Sequence, residues 1–442
     1  MAMVVRTLWK QARRRSIRGV ANTAREAPSV SFPEVVIVAA KRTPVGSFQG
    51  SLASLSAPEL GSIAIRGALD SVKLSPEHVN EVFMGNVLSA GVGQAPARQA
   101  ALKSGLLPST ICTTVNKVCA SGMKAVMLGA QSIMLGVNQV VVAGGMESMS
   151  NAPFILPRNV SPKIVGHVQL RDSMIVDGLW DPYKDVSMGS CAEDCAYELS
   201  ISRDAQDEHA IASYERAAAA QALGVTKGEI VPVTIEGKKP VTVSHDEECL
   251  KFDPEKLKKL RPVFKEDGTI TAGNSSTLSD GAAVLLLTSA AFADEHKLKV
   301  LGRIRGFGDA AQAPEKFPTS PALAIPVALE HAGLTKENVD LYEINEAFSV
   351  VAIANQQLLD LKPAQVNLNG GAVSIGHPLG ASGARIIVSL LTSLALNDLS
   401  IGAAAICNGG GGASAIIIER DPEYKISKHS HGQDKVASES KK

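Results

Sequence analysis

The chain has 442 residues, enough for two or three domains and a sizeable buried core. Apolar residues make up 45% and charged residues 20%, which excludes a mainly disordered chain; zero formal net charge and 4% aromatics argue against a nucleic-acid binder. Six cysteines in a chain this long do not make a disulfide scaffold.

The zero charge hides an asymmetry. Residues 1–30 hold seven Arg and Lys against the single acid Glu26, so they carry +6 and the remainder carries −6. An Arg-rich, acid-poor start ahead of an acidic body reads as a mitochondrial leader over 1–31, and the plainer alternative is a solvated basic arm. There is no secretory pattern, and the final Lys-Lys does not match the peroxisomal tripeptide. Strand-like runs follow at VVIVAA (35–40), EVFMGNV (81–87) and QVVVAGG (139–145). The uncharged stretch 125–146 changes pattern midway. It reads as a buried helix to about Gly136 and then a strand, not as a membrane span. Residues 148–277 differ in character, with Pro, Met and charge clusters and one long helical stretch over 201–223. They read as an inserted domain covering a site built by the flanking halves. GAAVLLLTS (281–289) is a further strand, and 421–442 is a polar tail.

Two segments repeat in register. His78–Asn86 matches Asn338–Glu346 with Val79 on Val339, an offset of 260; Ala120-Ser121-Gly122 matches Ala381-Ser382-Gly383, an offset of 261. Each tripeptide opens an apolar helical stretch, then a strand-like run, then paired glycines. Two similar halves are expected, each alternating strands and helices around a mostly parallel sheet.

Three segments could carry chemistry. Cys119, in VNKVCASGMKA, follows β-branched residues and precedes small ones, an extended approach turning into a helix. Free N–H groups and the helix dipole would favour its thiolate; the alternative is a buried structural thiol. His377, in NGGAVSIGHPLGASG, stands between glycines on a loop, as a general base or as a satisfied loop histidine. Cys407, in AAAICNGGGG, is delivered by an apolar run to four glycines whose N–H groups suit an oxyanion hole; the alternative is a glycine turn beside a buried thiol. Asn345, in YEINEAF, could donate to an oxyanion or cap the next helix, the commoner role. Cys191 and Cys195 share a helix face without an evident metal-ligand set, and no phosphate loop or dinucleotide fingerprint is present.

Together these segments resemble the thiolase family over about residues 34–420. The stretches around Cys119, His377 and Cys407 fit its three motifs, and Asn345-Glu346-Ala347-Phe348 is a fourth. The resemblance implies a thiolase fold of class α/β: two similar five-layer α/β/α/β/α halves (32–147 with 278–298, and 299–420) and a loop domain over 148–277. NKVCASGMKA looks like the acetoacetyl-CoA type, and Phe317-Pro318 resembles the potassium-dependent mitochondrial branch, where this pair lies near the acyl pocket.

By that resemblance Cys119 carries the acyl group, His377 activates it, and Cys407 moves the α-proton of the second substrate. Asn345 would hold the enolate through a water, and the N–H groups of Cys119 and Gly409 would hold the tetrahedral intermediate. Tyr214, Lys251, Phe252, Asp253, Lys256 and Ser276 fall at coenzyme A positions; Tyr214, Ala272, Gly273, Ser275 and Val373 fall at potassium positions. Ser187 stands where this type usually has His, and Gly273 and Ser275 where Ala is common. The implied substrates are acetyl-CoA, acetoacetyl-CoA, CoA and a 2-methylacetoacetyl-CoA, acted on by a homotetramer in the mitochondrial matrix without a membrane span or nucleic acid. The other readings are a broader-chain 3-ketoacyl-CoA thiolase and a non-catalytic CoA or RNA binder on the same scaffold.

Overall fold

The computed structural model describes residues 32–158 and 167–426. The expected leader and all but the first residues of the tail lie outside them.

Among the described residues, nine strands form the framework. Five belong to the first half: β1 (Val35–Arg42), β2 (Glu81–Gly85), β3 (Ile111–Val115), β4 (Val140–Ser148) and β5 (Ser279–Ser289). They lie in the order β1-β5-β4-β2-β3. Four belong to the second: β6 (Gly302–Ala311), β7 (Leu341–Ile344), β8 (Ile401–Asn408) and β9 (Gly412–Arg420), in the order β6-β9-β8-β7. A parallel bridge from Tyr342 to Val366 stands where β3 stands in the first half. The strand order is thus the same twice, as the repeated segments require. β1 and β6 join the two sheets through a short antiparallel contact at Val36–Arg303 and Ile37–Gly302.

The layers follow from where the apolar residues point. Helices α1 (Ala57–Val72) and α2 (Pro96–Lys103) cover the outer face of the first sheet, with Leu60, Ile65 and Ala100 packed on Val82 and Val142. Between the sheets lie α3 (Ser121–Met134) and, late in the chain, a helix over Leu379–Asn397. The loop domain contributes α4 (Met188–Glu198) and α5 (Arg203–Ala222); α6 (Pro321–Ala332) and α7 (Ser349–Leu359) belong to the second half, α6 covering its sheet. The Leu379–Asn397 helix is α8. The five layers therefore run across both halves, and α3 and α8 form the shared middle. α8 is long and apolar enough to cross a membrane by composition, but 94% of its apolar window is buried inside the protein. A helix that is apolar all round is the core helix such a middle layer needs.

The repeated Ala-Ser-Gly tripeptides are the place where α3 and α8 cross. A Cβ on Gly122 would fall 2.7 Å from the Gly380 carbonyl oxygen, and one on Gly383 would fall 2.4 Å from the Met123 nitrogen. Only glycine permits this approach. The crossing brings both helix N-termini, and the residues just before them, to one place.

Glu147 fastens that place. Its carboxylate accepts from Val87 N–H (3.0 Å), Leu88 N–H (3.1 Å), Asn86 Nδ2 (2.8 Å) and Gly380 N–H (2.8 Å), tying β2 and β4 to the start of α8. Burial pushes its pKa up to about 7, against the pull of the backbone donors.

Candidate active site

Cys119 sits on a turn that the chain makes under strain. Val118 has φ +48°, a left-handed conformation unfavourable for a β-branched residue. Local hydrogen bonds hold the turn: Val118 N–H donates to Asn116 Oδ1 (2.9 Å), Lys117 N–H to Ser121 Oγ (2.8 Å), and Ser121 Oγ to the Val118 carbonyl (2.5 Å). The turn delivers Cys119 directly ahead of Ala120, the N-cap of α3. Burial pushes the thiol up to about 12, although the N–H groups of Gly409 and of Cys119 itself point at the sulfur. The thiolate expected from the helix start is therefore reversed. Desolvation outweighs the donors, and the resting group is a thiol.

His377 follows Gly376, whose φ of +115° turns the chain into α8. Its Nδ1 lies 2.6 Å from Ser382 Oγ, and that hydroxyl donates its proton to the Pro378 carbonyl at 2.9 Å. A serine has one proton to give, so Nδ1 must be the donor to Ser382. The tautomer is thereby fixed, with the lone pair on Nε2. Nε2 is buried and has no partner among the described residues. Burial first, then the Arg385 charge, pushes the imidazole down to about 3, so it is neutral. Its Nε2 lone pair is free to accept a proton, although burial makes it a weaker base than an exposed imidazole.

Cys407 is the penultimate residue of β8, and a glycine hairpin returns the chain as β9. Gly410 and Gly411 both have φ +84°, which explains the glycine run. The thiol is buried, and burial, then the nearby Cys119, pushes its pKa well up. Asn345 stands one residue past the end of β7, its N–H bonded to the Ala405 carbonyl at 3.0 Å. It does not cap a helix: Phe348 is the N-cap of α7. Its Nδ2 is a buried donor without a protein partner.

A cavity of about 220 Å³ joins Cys119 and His377; Cys407 and Asn345 are not among the residues that line it. Cys119, His377 and Gly409 line it, with Trp180, Met188, Phe264, Phe317, Phe348 and Leu379 among its apolar walls. Cys407 lies behind Met188 and Phe317 in the same apolar cluster. Ser187 also lines the cavity; its hydroxyl caps α4 by accepting from Ser190 N–H at 3.2 Å. A larger cleft of about 620 Å³ at the far end of α8, with Lys41, Lys299 and Tyr424, contains neither a cysteine nor a histidine. The chemistry belongs to the smaller cavity.

The residues at coenzyme A positions are dispersed. Only Ser276 walls the cavity, its N–H bonded to the Ala347 carbonyl at 3.1 Å. Lys251 Nζ binds Ser47 Oγ (2.6 Å), Glu247 (3.1 Å) and Glu248 (3.3 Å). Asp253 caps the turn Pro254–Leu257 and pairs with Lys256 at 3.1 Å. Phe252 stacks on Tyr214 with centroids 4.7 Å apart.

The residues at potassium positions are closer together. Tyr214, Leu257 and Val373 share one apolar cluster, and Gly273 abuts Leu257. The carbonyls of Ala272, Gly273, Ser275 and Val373 accept no hydrogen bond among the described residues. Unengaged carbonyls beside a Tyr fit a monovalent cation. No cluster of His, Cys, Asp or Glu suits a transition metal among the described residues.

Sequence reasoning missed Ser382, Arg385 and Glu147. Ser382 was visible only as part of the repeat, five residues beyond His377.

Comparison with known proteins adds to this geometry. Residues 35–291 match the family profile described as Thiolase, N-terminal domain, and 298–420 that described as Thiolase, C-terminal domain. The acetyl-CoA acetyltransferase of Schizosaccharomyces pombe is 58% identical over 390 residues, covering 88% of this chain and 99% of that one. A mitochondrial acetyl-CoA acetyltransferase of Rattus norvegicus is 52% identical over 390 residues (88% and 91%), and a cytosolic one of Gibberella zeae 54% over 392 (88% and 99%). The crystal structure of an Ascaris suum thiolase in complex with coenzyme A matches with TM-score 0.84 and 45% identity, covering 88% of this chain and all of that one. That of the Bacillus anthracis acetyl-CoA acetyltransferase matches with TM-score 0.86 and 39% identity (89% and 100%).

Proposed function

The chain belongs to the thiolase family, and from that premise we propose that it is an acetyl-CoA C-acetyltransferase interconverting two acetyl-CoA with acetoacetyl-CoA and CoA. The observation that carries this reading is the neutral His377 with its free Nε2, facing the same small apolar cavity as the Cys119 thiol, with a second thiol, Cys407, behind it. A hydrolase needs one nucleophile. Carbon–carbon bond formation also needs a base for an α-proton, and this reading gives that role to Cys407.

The protons balance as follows. His377 Nε2 takes the Cys119 proton as the sulfur attacks the acetyl carbonyl carbon. The N–H groups of Cys119 and Gly409 hold the oxyanion. The carbon–sulfur bond to CoA breaks, and Cys407 gives its proton to the leaving CoA thiolate. The acetyl group is now on Cys119, Cys407 is a thiolate and His377 an imidazolium. Cys407 then takes the α-proton of the second acetyl-CoA, while His377 and a water on Asn345 hold the enolate oxygen. The enolate carbon attacks acetyl-Cys119, acetoacetyl-CoA departs, and the Cys119 thiolate recovers its proton from His377. All three groups return to their resting states.

The small cavity, with Phe317 in its wall, favours short acyl groups over the broader-chain alternative. We also propose that Tyr214, Lys251, Phe252, Asp253, Lys256 and Ser276 contact coenzyme A. The carbonyls of Ala272, Gly273, Ser275 and Val373, with Tyr214, would hold potassium, which would order the 272–276 turn. Import into mitochondria is proposed from the +6 charge of residues 1–30; assembly as a homotetramer is proposed from the family resemblance. The deciding experiment is thiolysis of acetoacetyl-CoA, 2-methylacetoacetyl-CoA and longer 3-ketoacyl-CoAs by the purified chain. Rapid cleavage of the four-carbon substrates is expected, and no cleavage of acetoacetyl-CoA would overturn the reading.

A further inference from the structure

Behind Asn345 lies a charged group that the mechanism above does not use. Arg385, on α8 two turns beyond His377, is only 2% exposed. Its Nη2 donates to Asn345 Oδ1 at 3.5 Å, while its Nη1 has no partner among the described residues. Glu343 precedes Asn345 by two residues along β7, so the two side chains leave the extended chain on the same side. Glu343 is also 2% exposed, and its Oε2 has no partner among the described residues. Burial pushes the Glu343 carboxyl up to about 8 against the pull of Arg385, and burial likewise lowers Arg385 against the pull of Glu343.

A guanidinium can only donate hydrogen bonds. Next to it, the Asn345 amide has one tolerable orientation, with Oδ1 toward Arg385. The flipped amide would set NH₂ against a buried cation, donor against donor, with no solvent to relieve it. Nδ2 is therefore turned away from Arg385 and left without a protein partner. We propose that Arg385 is a positioning residue that fixes the Asn345 amide with its N–H groups free for the enolate step. The inference rests on the thiolase reading, in which Asn345 serves condensation and not acylation of Cys119.

That division provides the test. Arg385→Met, Arg385→Lys, Asn345→Ala and the double variant Arg385→Met/Asn345→Ala are compared in two half-reactions: acetyl labelling of Cys119, and exchange of the acetyl-CoA α-protons with solvent. Arg385→Met also removes the charge that lowers His377, so labelling of Cys119 should hold steady or rise, while exchange should fall by roughly 10-fold to 100-fold, the scale for an oxyanion donor that is no longer aimed. Arg385→Lys, which keeps the charge and a donor, should recover most of the exchange. The double variant should be no worse than Asn345→Ala, because Arg385 acts through that amide. Multiplying losses in the double variant, equal losses in both half-reactions, or unchanged exchange in Arg385→Met would each overturn the inference. If Arg385→Met does not fold because the buried Glu343 loses its neighbouring cation, Arg385→Met/Glu343→Gln removes both ionisable groups and carries the same expectations. A wild-type enzyme that leaves acetoacetyl-CoA intact would overturn the thiolase reading itself. Exchange that depends on Asn345 but not on Arg385 would overturn only this inference.

Discussion

The Ser382 hydroxyl accepts a hydrogen bond from His377 Nδ1 at 2.6 Å and donates its own to the Pro378 carbonyl. Three groups within six residues thus decide which imidazole nitrogen is basic. Ser382→Ala should leave Nδ1 without its acceptor and let the ring adopt the other tautomer, with its proton on Nε2. Acylation of Cys119 by acetyl-CoA should slow by roughly 10-fold or more, with KM little changed, because the base is affected and the binding walls are not. Rapid-quench labelling measures this, and an unchanged acylation rate would remove Ser382 from the account.

The two reactive thiols should separate by half-reaction. Cys119→Ala should take no acetyl label from acetyl-CoA. Cys407→Ala should still be labelled, since the leaving CoA thiolate can draw its proton from the imidazolium, but should lose α-proton exchange by at least ~10²-fold. Mass spectrometry of the intact chain and deuterium exchange into acetyl-CoA read the two outcomes. Labelling of Cys119→Ala, or normal exchange by Cys407→Ala, would reassign the residue concerned.

The resting protonation states give a pH prediction. With Cys119 pushed up to about 12 and His377 down to about 3, both are neutral between those values, so the free enzyme holds a thiol beside an imidazole. The thiolate fraction at Cys119 then rises about tenfold for each pH unit well below its pKa. Carbamidomethylation of Cys119 by iodoacetamide, followed by peptide mass spectrometry, should keep accelerating past pH 9. A plateau near pH 6–7 would mean a resting thiolate–imidazolium pair instead.

How far the sequence reached is visible residue by residue. Cys119, His377 and Cys407 were legible because each needs a special backbone, and small residues and glycines mark such backbone in the text of the chain. The duplication was legible for a related reason: α3 and α8 cross so closely that Gly122 and Gly383 are forced. The resting charge of Cys119 was not legible. A helix start is local, whereas burial comes from Met149, Leu179 and Leu379, which lie far away in the chain. Arg385 and Glu147 were missed for the same reason. Glu147 reads as one more acid after a glycine pair, and only the fold brings Val87, Leu88 and Gly380 to its oxygens.

Glu147 offers a test of how the halves are fastened. Glu147→Gln keeps the shape but replaces one acceptor oxygen with NH₂, which then faces N–H donors on every side. Two of the four hydrogen bonds become donor–donor contacts in a buried place. Stability should fall by about 2 kcal/mol or more, the cost of leaving buried donors unmet. Chemical denaturation with an unchanged m value measures it; a variant as stable as wild type would show that the clamp contributes nothing.

The last prediction concerns potassium and the loop it would order. The 272–276 turn connects two regions: Gly273 abuts the cluster of Tyr214, Leu257 and Val373, while Ser275 and Ser276 line the cavity. A cation on the free carbonyls of this turn would fix it before substrate arrives. Fixing a residue's backbone costs on the order of 1 kcal/mol, so a turn ordered in advance spares the substrate part of that cost on binding. Potassium chloride should therefore lower the apparent KM for the CoA substrate several-fold relative to lithium chloride at the same ionic strength, with kcat raised if the turn also aligns the thioester. Tyr214→Phe removes one oxygen from the site but keeps the stacking on Phe252, so it should reduce the potassium response and spare activity in lithium. The 2-methylacetoacetyl-CoA substrate should be cleaved in the same assay if Phe317 leaves room for the methyl group. Equal kinetics in the two salts would reject the cation site, and failure on the 2-methyl substrate alone would reject the pocket reading, each leaving the acetyl transfer by Cys119 untouched.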